Sequence, residues 1–275
     1  KKKETSMKNK KGKKKKLNIR ILSVSSLVIV IAITLTIVSN IKEKEIIKGA
    51  EENTVEASAR ITNENENNEE IIVVEKKQPE INSKTTDWNL ILVNKENPIP
   101  ENYQVELKNI EYSHKVDSRI ADSLSQMLQD ARKQGLKPYI CSSYRTINTQ
   151  TTLYNRKVNQ YKRQGYTSEN AKIEASYWVT LPRTSEHEMG MAVDIVSRNY
   201  QILDEKQEET QVQKWLIEHC TDYGFILRYP TDKKEITKIN YEPWHYRYVG
   251  VENAKFMKEK NFCLEEFIAY LKDFE

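Results

Sequence analysis

The sequence predicts an α+β fold in which helices pack around a small, mainly antiparallel sheet. All 4 Trp and all 15 Tyr occur from Trp88 onward, where the core of a domain can therefore form. In the same region, helical apolar periodicity alternates with short apolar runs of strand length. We therefore predict one folded domain at residues 86–275, preceded by a single transmembrane helix and a flexible spacer.

The helices are predicted from apolar residues that recur every three or four positions. Asp117 and Ser168 are expected to cap the first and the third of them, and Gly135 and Gly224 are expected to end the first and the fourth. The predicted helices contain residues 120–131, 153–161, 168–178, 212–223 and 264–271. Short strands are predicted at residues 138–142, 191–195, 225–228 and 244–249.

Positive charge is concentrated at the amino terminus. Residues 1–16 contain ten Lys and one Glu, a balance of +9, whereas the whole chain carries +4. The rest of the chain therefore sums to −5 (4 − 9), so the high isoelectric point belongs to the tail and no nucleic-acid partner is expected. We interpret residues 1–16 as a basic cytoplasmic tail.

The next segment predicts a membrane anchor. Residues 21–38 contain no charge and have about the length that a bilayer core requires. We predict a signal-anchor at residues 17–41 that places the following domain outside the cell, because upstream Lys and Arg favour a cytoplasmic amino terminus. A cleaved signal peptide is the competing interpretation, but the run is long and no small-x-small site follows it.

Residues 42–85 are rich in Glu, Asn and Lys and lack aromatic residues, which is typical of a flexible spacer. A helix or coiled coil is the alternative, but no heptad pattern is sustained. The chain would thus be a single-pass membrane protein with an extracellular domain.

Two short segments carry residues suited to metal chemistry. His187 and Asp194 lie in the first, and Glu242 and His245 lie in the second. Two imidazoles and one carboxylate are a usual ligand set for a catalytic zinc ion, and a nearby Glu can act as a base. Individually, an exposed His187 and a core His245 are the simpler interpretations. Together, and with no Cys pair that would form a metal site, the four residues favour a zinc hydrolase.

The chain from about residue 88 to residue 275 resembles the VanY-type D-alanyl-D-alanine carboxypeptidases. These belong to a zinc metallopeptidase group that includes the VanX dipeptidases and the peptidoglycan L,D-carboxypeptidases. The resemblance rests on four motifs: Ser185-x-His187-x-x-Gly190-x-Ala192-x-Asp194, Glu242-Pro243-Trp244-His245, Ser143-Tyr144-Arg145-Thr146 and the stretch from Tyr223 to Tyr229. These motifs are specific in combination.

The resemblance implies one zinc ion held by His187, Asp194 and His245, with Glu242 as the general base. It also implies that Arg145 stabilises the oxyanion of the reaction. The free carboxylate of the substrate would be bound by two further residues, Ser185 and Gln150. A surface ion pair is the alternative for Arg145, and a solvated helix position is the alternative for Gln150.

The implied activity is a D,D-carboxypeptidase that removes the terminal D-alanine from peptidoglycan stem peptides or their precursors. It would contribute to glycopeptide resistance if the gene belongs to such a system. An L,D-carboxypeptidase acting on tetrapeptide stems is one alternative. A non-catalytic, zinc-stabilised wall-binding module is the other, although Glu242 argues against it. Another divalent ion could replace zinc, but an N/N/O set with an open position suits zinc. The oligomeric state is not readable from the sequence.

Overall fold

The computed structural model describes residues 80–275 of the chain. The predicted basic tail, the predicted membrane span and most of the predicted spacer lie outside the described residues. Between residues 80 and 275, no helix is long and apolar enough to cross a membrane. Packing begins slightly before the predicted boundary at residue 86, because Ser83 donates a hydrogen bond to Asn253 and Thr85 donates to the Glu275 carboxylate.

Helices and short antiparallel strands alternate along residues 80–275, which confirms the predicted α+β class for this part of the chain. The strands are β1 (Leu107–Asn109), β2 (Lys115–Asp117), β3 (Pro138–Ser142), β4 (Ala192–Ser197), β5 (Phe225–Leu227) and β6 (His245–Tyr248). The helices are α1 (Ala121–Lys133), α2 (Ile147–Arg163), α3 (Ser168–Ser176), α4 (Gln211–His219), α5 (Lys234–Thr237), α6 (Val251–Lys260) and α7 (Leu264–Lys272).

The main sheet has four strands in the order β3-β4-β6-β5, and every neighbouring pair is antiparallel. Side chains alternate between the two faces of a strand, so register decides which residues meet. Val193 of β4 lies opposite Tyr246 of β6 on the face that carries the apolar core. Asp194 lies opposite His245 on the other face. The register therefore brings two polar residues together on one side of the sheet.

Helices cover the apolar face of the sheet. Leu124, Met127 and Leu128 of α1, with Val212 and Leu216 of α4, share one buried cluster with Val193 and Tyr246. A second cluster joins Ile226 and Val249 to the buried sides of α6 and α7. Burial of this apolar surface fixes the sheet, and with it the opposite face.

A third and smaller cluster joins α2 to α3. Val158 of α2 packs against Ala171 and Ala175 of α3. The two helices therefore form a hairpin beside the sheet, and α2 begins directly after the loop that holds Arg145.

Two predicted caps differ from the structure. Helix α1 begins at Ala121, and Asp117 instead accepts hydrogen bonds from the backbone and side chain of Arg119. Thr167 caps α3 in place of Ser168, because its hydroxyl accepts the backbone N–H of Asn170.

The β1–β2 hairpin and helix α6 were not predicted, because three-residue strands and a helix with a narrow apolar side carry little periodic signal.

Candidate active site

His187 lies in a short 3₁₀ helix, Glu186–Met189, that leads directly into β4. Its Nδ1 is 2.9 Å from the carbonyl oxygen of Ser143. Because a carbonyl oxygen only accepts hydrogen bonds, Nδ1 must carry the proton. Nε2 is left with a free lone pair, 3.3 Å from Oδ1 of Asp194. The fold therefore holds His187 in the tautomer that a metal ligand requires.

Gly190 lets the chain reverse between His187 and β4. Its φ is +70°, and an added Cβ would lie 2.7 Å from the backbone nitrogen of Asp117. That nitrogen donates a hydrogen bond to the carbonyl of Gly190 at 3.0 Å. A residue with a side chain fits neither the backbone angle nor the space.

Asp194 and His245 are cross-strand neighbours on the polar face of the sheet. Nδ1 of His245 lies 3.2 Å from Oδ1 of Asp194. Both side chains are almost completely buried. With His187, they present three ligand atoms that all lie within 4.8 Å of one another. The structure thus brings together the three residues that the sequence predicted as metal ligands.

The donor set fits zinc in two respects. Tetrahedral bonds of about 2.1 Å would separate ligand atoms by about 3.4 Å, close to the 3.2 and 3.3 Å found between Asp194 and the two imidazoles. Nε2 of His187 and Oδ1 of Asp194 are also buried without a hydrogen-bond partner. Buried polar atoms are rarely unpaired, so a cation between them explains both.

Arg145 is held beside the ligands by three side chains. Its guanidinium donates to Oγ of Ser142 at 2.8 Å, to Oε1 of Gln150 at 3.3 Å and to Oδ2 of Asp194 at 2.6 Å. A bulge in β3 places Ser142, and not Cys141, opposite Asp194. Arg145 still lines the cavity in front of the ligands. It is therefore no surface ion pair.

Ser185 and Gln150 were both predicted to bind the substrate, and the structure separates them. Ser185 lines the cavity. Gln150 is completely buried and is absent from the cavity wall. It accepts from Arg145 and donates to the carbonyl of Thr180 at 2.8 Å. In this structure Gln150 orients Arg145, because the first turn of α2 is covered by the loop at Thr180.

Glu242 lies at the edge of the ligand set. Its Oε2 is 3.7 Å from Nδ1 of His245, and its side chain is nearly buried. Burial raises the pKa of the Glu242 carboxyl to about 8, and Asp194 adds to the rise while His245 opposes it. A divalent cation among the ligands would stabilise the carboxylate and lower this pKa again. The residue can then accept a proton at neutral pH.

The two imidazoles have opposite electrostatic environments. Burial lowers the pKa of His187 to about 4, and the charge of Arg145 acts in the same direction. Burial would also lower the pKa of His245, but the neighbouring carboxylates of Asp194 and Glu186 outweigh it and raise the value to about 9. In the metal-free protein, His187 is neutral and His245 is protonated at neutral pH.

A buried charge network behind His245 was not predicted from the sequence. Oε2 of Glu186 lies 3.3 Å from Nε2 of His245. Oε1 of the same carboxylate accepts from Arg228 at 2.7 Å and from Arg247 at 2.9 Å. Glu265 completes the network through two hydrogen bonds with Arg228. In the sequence, this network is indicated only by the positions of Glu186 and Arg228, which lie inside two of the VanY-like motifs.

A cavity of about 330 Å³ opens in front of the ligand set. Its inner end holds the three ligands, Glu242, Arg145 and Ser185. Its outer walls come from α2, from the segment 178–180 and from residues near β5 and β6. The other lining residues are Leu153, Arg156, Lys157, Gln160, Trp178, Val179, Thr180, Leu203, Tyr229, Ile239 and Trp244. A metal bound there would have one side open to a substrate.

Residues 113–251 match the family model of VanY, described as D-alanyl-D-alanine carboxypeptidase. A D-alanyl-D-alanine carboxypeptidase of Enterococcus faecalis (strain ATCC 700802 / V583) is 44% identical over 182 residues. The match covers 66% of this chain and 66% of that protein, slightly less than two thirds of its length.

Solved structures are also similar. VanYB in complex with D-Alanine-D-Alanine is 45% identical with a TM-score of 0.62, and the match covers 66% of this chain and 98% of that one. A vancomycin resistance D,D-pentapeptidase VanY in complex with Zn(II) is 44% identical with a TM-score of 0.61, covering 66% and 99%. With the His, Asp and His set, the Zn(II) complex supports zinc as the cofactor. The chain belongs to the VanY family of D-alanyl-D-alanine carboxypeptidases.

Proposed function

We propose that this enzyme hydrolyses the terminal D-alanyl-D-alanine bond of peptidoglycan stem peptides or their precursors. The observation that carries the proposal is the open side of the ligand set, which faces a cavity also lined by Glu242 and Arg145. A site that only stabilised the fold would be closed by a fourth protein ligand. A relative named for this activity and a similar structure bound to D-Alanine-D-Alanine support the choice of substrate.

The residues divide the chemistry among them. Bound zinc supplies a water molecule of lowered pKa and polarises the scissile carbonyl. Glu242 accepts the proton of the attacking water and returns it to the leaving amine. Arg145 offers a guanidinium already fixed by Ser142 and Gln150, so little reorganisation is needed when negative charge develops on the carbonyl oxygen. Ser185 can donate a hydrogen bond to substrate from the cavity wall.

The decisive experiment compares two peptides. The full-length chain with zinc is incubated with a pentapeptide stem ending in D-Ala-D-Ala and with the matched tetrapeptide, and D-alanine release is followed by mass spectrometry. Glu242→Ala is the control. We expect release from the pentapeptide only, and none from the control. Release from the tetrapeptide alone would instead identify an L,D-carboxypeptidase. Absence of release from both peptides, with zinc bound, would indicate a binding module.

Removal of the terminal D-alanine would also destroy the D-alanyl-D-alanine end that glycopeptide antibiotics bind. A related structure is described as a vancomycin resistance protein, which supports this role. Expression of the chain in a susceptible host should raise the vancomycin concentration needed to stop growth, and Glu242→Ala should not. Equal concentrations for the two would overturn the role in resistance.

We further propose that the enzyme acts outside the cell, attached to the membrane by residues 17–41. The support is the uncharged run of residues 21–38 behind a tail of charge +9. A spacer of about forty residues would reach a few nanometres, enough to approach the cell wall. Fractionation should place the chain in membranes, and protease added to intact spheroplasts should remove the catalytic domain. Recovery in the cytoplasmic fraction would overturn this proposal.

A further inference from the structure

Two cations on α2 line the outer part of the catalytic cavity. Arg156 is exposed and Lys157 is half-buried, with its ammonium group 5.3 Å from the ring centre of Trp178. Within residues 80–275, neither side chain has a carboxylate at ion-pair distance. Both positive charges are therefore free to bind an anion that enters the cavity.

The third cation of the cavity differs from these two. Arg145 is paired with Asp194 at 2.6 Å, so much of its charge is already balanced. Burial lowers the pKa of Lys157, while the charge of Glu242 across the cavity opposes that effect. A partly desolvated ammonium group that pairs with no carboxylate of residues 80–275 gains most from a charged acceptor, because such hydrogen bonds are stronger than neutral ones.

Helix geometry separates the two cationic residues from Gln150, the residue that holds Arg145. Gln150 of α2 contacts Arg145, which marks the position of the scissile carbonyl. Lys157 follows Gln150 by seven residues, which is two helical turns and about 10 Å along the same side of the helix. The segment 178–180 follows the same course, since Thr180 contacts Gln150 and Trp178 contacts Lys157.

This backbone separation favours a partner further from the scissile carbonyl than the terminal carboxylate of the substrate. That group lies only one residue beyond the scissile carbonyl, whereas an extended peptide needs about three residues to advance 10 Å. A stem peptide carries its next carboxylate on the other side of the scissile bond, where a γ-linked glutamate leaves its α-carboxylate free. The γ-linkage lengthens the chain, so two residues upstream are enough to reach α2.

We propose that Arg156 and Lys157 bind the free α-carboxylate of the γ-linked acidic residue of the stem peptide. The inference rests on the proposed function, because the same stem peptide must lie in the same cavity. The enzyme would then distinguish stems by the amidation state of this residue, since an amide offers no charge to the two cations. Gln160, one turn further along α2, lines the cavity beyond them.

The test uses two pentapeptide stems that differ only in this group, one with the free α-carboxylate and one with the carboxamide. For the full-length zinc-loaded enzyme, we expect kcat/KM to be about tenfold higher for the acid, mainly through KM, as one charge-assisted contact can provide. In Lys157→Met the ratio should fall towards one, and Arg156→Met should lower it in the same direction. Lys162→Met, an exposed cation of α2 outside the cavity, should leave the ratio unchanged.

Two results would overturn the proposal: equal kcat/KM for the two stems in the unmodified enzyme, or an equal loss for both stems in Lys157→Met. The second result would place Lys157 at a group that both stems share, such as the terminal carboxylate. If neither stem releases D-alanine, the proposed function fails separately. The binding of both stems to zinc-loaded Glu242→Ala then decides the point, because tighter binding of the acid still supports the carboxylate site and equal binding rejects it.

Discussion

Glu186 accepts a hydrogen bond from Nε2 of His245 at 3.3 Å, on the side of the imidazole opposite to the metal position. The carboxylate has no access to solvent and is balanced by Arg228 and Arg247. These arginines hold the pKa of Glu186 well below its usual range, although burial alone would raise it. A fixed negative charge therefore orients His245 and increases its basicity towards a metal.

We expect Glu186→Gln to weaken zinc binding by roughly 10- to 100-fold, the usual effect of removing such a partner of a ligand. Competition with a chelator measures the affinity. Glu265→Gln is the matched control, because Glu265 also pairs with Arg228 but makes no hydrogen bond to His245. Both variants should lose stability, since each removes a carboxylate that pairs with the buried guanidinium of Arg228. An equal loss of zinc affinity in the two variants would mean that Glu186 acts only through folding.

Zinc binding should become tighter as pH rises from 6 to 8. In the metal-free protein His245 has a pKa of about 9, so a proton must leave before Nδ1 can bind a metal. The affinity should therefore increase about tenfold per pH unit, and release of the Glu242 proton would steepen this slope. His187, with a pKa of about 4, is neutral throughout and adds nothing. Calorimetry in buffers of different ionisation enthalpy counts the released protons, and a count of zero would refute the assignment.

The sequence predicted this site better than it predicted the environment of the site. His187, Asp194 and His245 have distinctive chemistry and spacing, and the strand positions of the last two were nearly correct. The register that places Asp194 opposite His245 was not predictable, because it depends on pairing between segments fifty residues apart. Gln150 was assigned to the substrate for the same reason. The sequence does not reveal that Thr180, which is distant along the chain, covers Gln150 and accepts its hydrogen bond.

The buried arginines show the same limit. Arg228 directly follows β5 and Arg247 lies in β6, both in segments rich in aromatic residues, and the sequence alone does not reveal that both point at Glu186. Charged residues in such segments usually lie on the surface. Their burial becomes understandable only when the whole network of charges is assembled by the fold.

Arg145→Lys should reduce kcat by roughly 10²- to 10³-fold with a smaller effect on KM. Lysine retains the charge but cannot donate in the planar geometry that reaches Ser142, Gln150 and Asp194 together. The loss would fall on kcat because the oxyanion forms only as the reaction proceeds. Steady-state kinetics with the pentapeptide provides the measurement. Arg163→Lys, at an exposed arginine of α2 that does not line the cavity, is the control, and an Arg145→Lys variant with normal kcat would exclude the oxyanion role.

Gly190→Ala should destabilise the protein far more than Gly135→Ala. Both glycines have positive φ, +70° and +78°, so each alanine costs about 1 kcal/mol of backbone strain. At Gly135 nothing lies within 4 Å of the added Cβ, and the strain is the whole cost. At Gly190 the Cβ would meet the backbone of Asp117 at 2.7 Å, so either the β2 strand or the turn carrying His187 must move. We expect the free energy of unfolding, measured with urea, to fall by roughly 3 kcal/mol. Zinc binding should also weaken, because the displaced turn carries a ligand. Equal losses in the two variants would show that this close approach does not position His187.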